Sequence, residues 1–136
     1  SMRDKKNRIV NSRVIIIQKL YGNLFNNEEE LFFPKHRFKK FIKDVVFGTI
    51  ERDDVIKEEL IVLEKNYNLK KLDKIFLVII KAAIFEFLYK SKTPMKIIIK
   101  EYLDASNFFL DSSQIKYLHS ILDKLGKNIR KNYEWV

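Results

Sequence analysis

The chain has 136 residues, 46% of them hydrophobic, with three glycines, two prolines and no cysteine. That length suits one domain with a real core, and the lack of cysteine excludes a disulfide framework and a thiolate metal site. A net charge of +9 says nothing about fold but fits either an anionic partner or a compositionally lysine-rich, solvated surface.

The positive charge is uneven. Arg3, Lys5, Lys6, Arg8 and Arg13 stand against Asp4 alone, Lys35, Arg37, Lys39, Lys40 and Lys43 crowd a second stretch, and Lys116, Lys124, Lys127, Arg130 and Lys131 make a third. The longest purely apolar run, Ile75–Ile80, is far short of the roughly 20 residues that a membrane span needs. The opening residues do not read as a signal peptide, and Ser1 before Met2 reads as a cloning remnant. The absent cysteine fits a cytoplasmic setting.

In chain order, residues 1–6 read as a basic disordered arm. Residues 7–26 then fit a helix with Val10, Val14, Ile17, Tyr21 and Leu24 on one face, although the β-branched run Val14–Ile17 would by itself suit a strand. Glu28–Glu30 belong to a polar loop. Pro34 is placed to open a second helix at its first position, with Phe38, Phe41, Ile42, Val45 and Val46 inward. A third helix is predicted over 52–67, with Val55, Ile56, Leu60 and Leu63 inward and a turn marked by Asn66 and Asn68.

The stretch from Lys71 to Tyr89 is apolar on nearly every side, the pattern of a helix surrounded by others. Asp73 at its start and Lys90 at its end suit the helix dipole. Glu86 is the misfit, a carboxylate beside Ala82 and Ala83 on an otherwise apolar surface. Thr93 is then the expected N-cap and Pro94 the first helical residue of the next segment, with Met95, Ile98, Ile99, Tyr102, Ala105 and Phe109 inward. Asp111 and Gln114 have the spacing of a capping box. The final helix runs to about residue 130, buries Ile115, Leu118, Leu122, Leu125 and Ile129, and turns Lys116, Ser120, Asp123, Lys127 and Arg130 outward; residues 132–136 fray. These elements make an all-α chain of six to seven helices.

Little in the sequence suggests catalysis. His36 and His119 have no neighbours at metal-ligand spacing, the three glycines form no phosphate loop, and Ser112 and Ser113 suit a helix start better than a nucleophile. Asp53–Asp54 and Glu58–Glu59 read as a solvated face. No catalytic residue, metal or cofactor is assigned. Tyr21, Tyr89, Phe109 and Tyr117 offer flat faces of the kind on which unpaired RNA bases stack, although tyrosines at helical spacing also serve to close the rim of a core. Tyr117 stands out, because Lys116 precedes it and Lys124 lies two turns along the same edge.

Five segments resemble the NusB family in order and spacing: Leu72–Asp73, Phe85–Glu86–Phe87–Leu88–Tyr89, Pro94–Glu101, Asp111–Ser112–Ser113 and Ile121–Leu122–Asp123–Lys124. Ser12–Arg13 followed by Gln18–Lys19–Leu20–Tyr21 is similar to the family's first helix, and 27–66 matches only in helical pattern. The resemblance implies two small helical bundles, about 7–67 and 71–131 within a domain spanning 7–131, and a bacterial transcription antitermination factor without catalysis. It implies boxA-type ribosomal RNA and the ribosomal protein NusE as partners, within an RNA polymerase antitermination complex, and pairing of two copies in some members.

By position, the resemblance puts Lys5, Lys6, Arg8, Arg13, Lys116, Tyr117, His119 and Lys124 on the RNA side, and Tyr21 and Glu86 on the NusE side. The family's phenylalanine-valine-asparagine-glycine is here Tyr117–Leu118–His119–Ser120, and the asparagine before Glu101 is Lys100. Two alternatives stand beside this reading. One is the related helical domain that accompanies ribosomal RNA methyltransferases, and the other is a protein-interaction scaffold with no RNA role.

Overall fold

Val78 to Phe87 is buried at every position but Lys81, and this helix forms the axis of the molecule. The structure, a computed structural model, describes residues 11–26 and 31–133, with side chains up to Lys131. Among these residues there are six α-helices, two short 3-10 turns and no strand, as the periodicity predicts. The helices are α1 (Ser12–Phe25), α2 (Lys39–Glu51), α3 (Asp53–Leu60), α4 (Lys74–Tyr89), α5 (Met95–Ser106) and α6 (Ser112–Tyr133). The arm at 1–6 lies outside the described residues. α4 packs against all five other helices, and the buried apolar side chains form one connected cluster.

The β-branched run in α1 is helical, and all four of Val14, Ile15, Ile16 and Ile17 are buried. Burial on several sides at once favours Val and Ile strongly enough to outweigh their modest helix penalty. α1 starts at Asn11, whose side chain accepts the Arg13 N–H at 2.7 Å. Its far end departs from the single predicted face, since Tyr21 and Leu24 are exposed.

Pro34 does not open α2. Residues 31–36 run irregularly with Leu31 and Phe33 packed on the core, and a proline φ serves such extended backbone as well as it serves a helix start. The turn into α2 is made by His36, whose Nδ1 accepts the Phe38 N–H at 2.9 Å and whose carbonyl accepts the Lys39 N–H at 3.2 Å. Phe38 is therefore an exposed N-cap and not an inward residue. The predicted third helix ends early. After Leu60 the chain tightens into a 3-10 turn, Ile61–Leu63, which still delivers Leu63 to the core.

α2 and α4 approach closely at Gly48, where an added Cβ would stand 2.2 Å from Phe85 Cζ. α5 begins one residue later than predicted, with Pro94 in extended conformation as the N-cap. The capping box at α6 forms as expected: Asp111 Oδ1 accepts the Gln114 N–H at 2.8 Å, and Gln114 Oε1 accepts the Asp111 N–H at 2.9 Å. α6 continues past residue 130 to Tyr133.

Arg130 points inward, contrary to its predicted outward position. Its Nε donates to the Phe87 carbonyl at 2.8 Å, and its Nη2 donates to those of Lys90 at 3.2 Å and Thr93 at 2.9 Å. The last carbonyls of a helix have no partner within it. A buried guanidinium from α6 supplies donors there, with the charge that suits this end of the dipole.

Candidate nucleic-acid interface

The capping box fixes the start of α6, and further along the same helix Tyr117 stands 38% exposed. Its ring meets Tyr67 at 5.5 Å and 72°, and Phe76 of α4 at 5.8 Å and 48°. Phe76 is buried, so Tyr117 is fixed from behind while the rest of its ring stays open. The Tyr67 hydroxyl lies 3.1 Å from Ser120 Oγ, and Ser120 Oγ donates to the Tyr117 carbonyl at 3.1 Å. Lys124 Nζ sits 5.9 Å from the centroid of the Tyr67 ring. Lys116 and His119 are exposed beside them.

Aromatic faces held rigidly between lysines can stack unpaired bases and contact phosphates together. Tyr67 and Ser120 belong to this surface although sequence reading assigned neither to it. The only signal for Tyr67 was an aromatic residue between Asn66 and Asn68 in a turn, next to Lys65.

Lys5, Lys6 and Arg8 lie outside the described residues. Arg13 is described, and it is not an open RNA contact. Its side chain is 12% exposed, and its Nη2 and Nε donate to both carboxylate oxygens of Glu86, at 2.6 and 3.1 Å. Its guanidinium also lies 4.7 Å from the centroid of Phe41 and 5.8 Å from that of Tyr102. Burial opposes the Arg13 charge, but the hydrogen bond and charge of Glu86 outweigh it and raise the pKa above the ordinary value. Burial, then the Glu86 charge, push the enclosed Tyr102 phenol well above the usual tyrosine range.

Glu86 is fully buried, with both carboxylate oxygens taken by Arg13, and does not stand on the surface beside Tyr21. Nor does it pair with Lys90, whose ammonium instead faces Asp44 at 3.7 Å. Arg13 and Tyr117 are not brought together either. They meet α4 at Glu86 and at Phe76, ten residues apart, which is about 15 Å along a helix axis.

Tyr21 is where a partner can reach it. It is 36% exposed and edge-on to Phe25 at 5.0 Å, and Phe25 and Leu24 are 61% and 50% exposed. Beside them opens a groove of about 520 Å³ floored by Leu20, Thr49, Leu77 and Val78 and rimmed by Asp53, Lys57, Lys74 and Lys81. Asp53 is held between Lys57 at 2.8 Å and Lys81 at 3.2 Å, a salt-bridged rim rather than a reactive carboxylate pair.

A family model described as the NusB family matches residues 10–127. Relatives named transcription antitermination protein NusB include one from Bradyrhizobium diazoefficiens, 29% identical over 66% of this chain and 55% of its own length. A second, from Maricaulis maris, is 26% identical over 88% of this chain and 86% of its own. A third, from Gluconobacter oxydans, is 35% identical over 65% of this chain and 54% of its own. The chain thus spans between half and two thirds of the length of the first relatives it matches. A solved structure of T. maritima NusB superposes with a TM-score of 0.72 at 18% identity, covering 85% of this chain and 88% of that one, and so shares the fold. No described helix is long and apolar enough to cross a membrane. With five helices packed around α4 and a family model matching residues 10–127, the chain belongs to the NusB family.

Proposed function

We propose that this protein binds boxA-type RNA together with the ribosomal protein NusE, and acts in the cytoplasm within an RNA polymerase antitermination complex. The work assigned to it is binding, without catalysis. One observation carries the RNA half of this reading: Tyr117 and Tyr67 lie against each other at 5.5 Å with Lys124 over Tyr67 and Lys116 alongside. Stacking on these rings gives an affinity for unpaired bases that phosphate contacts alone do not. Lys5, Lys6 and Arg8 join the RNA contacts by family resemblance. His119 stands where the family carries an amide, and neutral imidazole offers a single donor and a single acceptor where an amide offers more of each.

Tyr21, with Leu24, Phe25 and the adjoining groove, supports the NusE half. Exposed aromatic and aliphatic side chains beside a charged rim suit a protein partner. Glu86 and Arg13 have no part in either surface. Gel shifts with boxA-type and scrambled RNA, with and without NusE, test both halves. Preference for the boxA-type RNA that NusE strengthens is the expected outcome. Equal weak binding to both RNAs, unaffected by NusE, would leave only a basic scaffold.

A further inference from the structure

The basic stretch before and within α2 has no part in the surfaces described so far. Between Lys35 and Lys43 there are five cations and no carboxylate. Lys35, Arg37, Lys39, Lys40 and Lys43 are all exposed. Among the described residues none of them forms an ion pair, and Asp44, the nearest acid in sequence, faces Lys90. Lys39 and Lys43 stand one helical turn apart, a like-charge spacing that disfavours the free helix, and α2 carries no acidic residue in its first turn to offset it.

Aromatic rings are interleaved with these charges. Phe38 is 49% exposed with the Arg37 guanidinium 5.2 Å from its centroid, and Phe33 lies 5.9 Å from both Lys19 Nζ and Lys43 Nζ. A surface of crowded, uncompensated cations with an open ring beside them fits a flexible polyanion that also carries flat faces. That description is single-stranded RNA. The patch adjoins the Glu86 end of α4, because Phe41 packs under Arg13 and lies 5.5 Å from Lys90, whereas Tyr117 sits at the Phe76 end.

We propose that Arg37, Phe38, Lys39, Lys40 and Lys43 form a second RNA-contacting surface, which holds the phosphates of a strand whose other part lies on Tyr117. This rests on the RNA-binding reading above and adds to it a dependence on RNA length.

The test compares the full chain with the K39Q/K40Q/K43Q variant and with Tyr117→Ala. Each binds a short boxA-type RNA and the same RNA extended by unstructured sequence, over a series of salt concentrations. Circular dichroism confirms that the variants are folded, and all three lysines are exposed. The triple variant should bind the short RNA like the parent but lose roughly tenfold in affinity for the extended one. Its slope of log affinity against log salt should fall by about 2, since each lost single-strand phosphate contact removes about 0.7. Tyr117→Ala should weaken both RNAs. Parent-like affinity and slope of the triple variant on the extended RNA would overturn the second surface and leave the Tyr117 surface standing. So would a triple variant that loses binding only to anionic phospholipid vesicles. If the parent binds neither RNA, the RNA reading fails, and this surface with it.

Discussion

Arg13 and Glu86 lie 73 positions apart in sequence, yet the guanidinium of one grips both carboxylate oxygens of the other at 2.6 and 3.1 Å in the core. The pair ties the first turn of α1 to the last turn of α4, so removing either member leaves a buried charge alone. Glu86→Ala should therefore lower stability by about 3 kcal/mol or more, whereas a joint replacement by Met at 13 and Leu at 86 should recover most of the loss. Denaturant melts followed by circular dichroism check this. An unchanged midpoint for Glu86→Ala would show that the pair is open to solvent.

Arg130→Ala exposes the same logic at the same, C-terminal end of α4. Three carbonyls lose their donor at once, and the expected destabilisation is on the order of 3 kcal/mol. Arg130→Lys should rescue little, because an ammonium cannot match the planar fork that reaches Phe87, Lys90 and Thr93 together. Full rescue by lysine in the same melts would mean that charge alone, without geometry, caps this helix.

Gly48→Ala sets helix propensity against packing. Alanine gains about 1 kcal/mol in a helix, but its Cβ would meet the buried Phe85 ring at 2.2 Å, and overpacking costs typically about 1–3 kcal/mol. A lower thermal midpoint is expected. A second substitution, Phe85→Leu, should make the alanine tolerable, which thermal scans of the double variant will read.

Asp111 adds a pH dependence. Hydrogen bonds from the Gln114 backbone, then from Ser113, hold its carboxyl below the ordinary aspartate value of 3.8. A carboxyl depressed in the folded state contributes stability above its unfolded pKa and loses it as pH falls through the folded value. Asp111→Asn keeps a capping side chain without the titration. Stability measured across a pH series should show the parent's advantage over this variant shrinking below pH 3.8. An advantage that stayed constant through that range would assign the effect to something other than the Asp111 charge.

Much of the fold was legible because it is written in local spacing. The all-round apolar stretch made α4 the centre, the i, i+3, i+4 series buried Leu118, Leu122, Leu125 and Ile129, and an aspartate three residues before a glutamine gave the start of α6. Pro34 misled because its fixed φ serves extended backbone and helix start alike. Arg13, Glu86 and Arg130 misled for a different reason. A charged side chain reads as surface unless its partner is known, and their partners lie 73 and about 40 positions away. Of the proposed RNA surface, Tyr117, Lys116 and Lys124 were legible from one helix edge, while Tyr67 joins them only through the tertiary fold.

The most direct test of RNA recognition compares Tyr117→Ala with Glu86→Gln, titrating each folded protein with boxA-type RNA at fixed salt. Loss of one stacking face should cost about 1–3 kcal/mol of binding, roughly a tenfold or greater drop in affinity for Tyr117→Ala, with Glu86→Gln binding like the parent. Parent-like affinity of Tyr117→Ala, or a loss confined to Glu86→Gln, would contradict the placement of RNA on the face of α6.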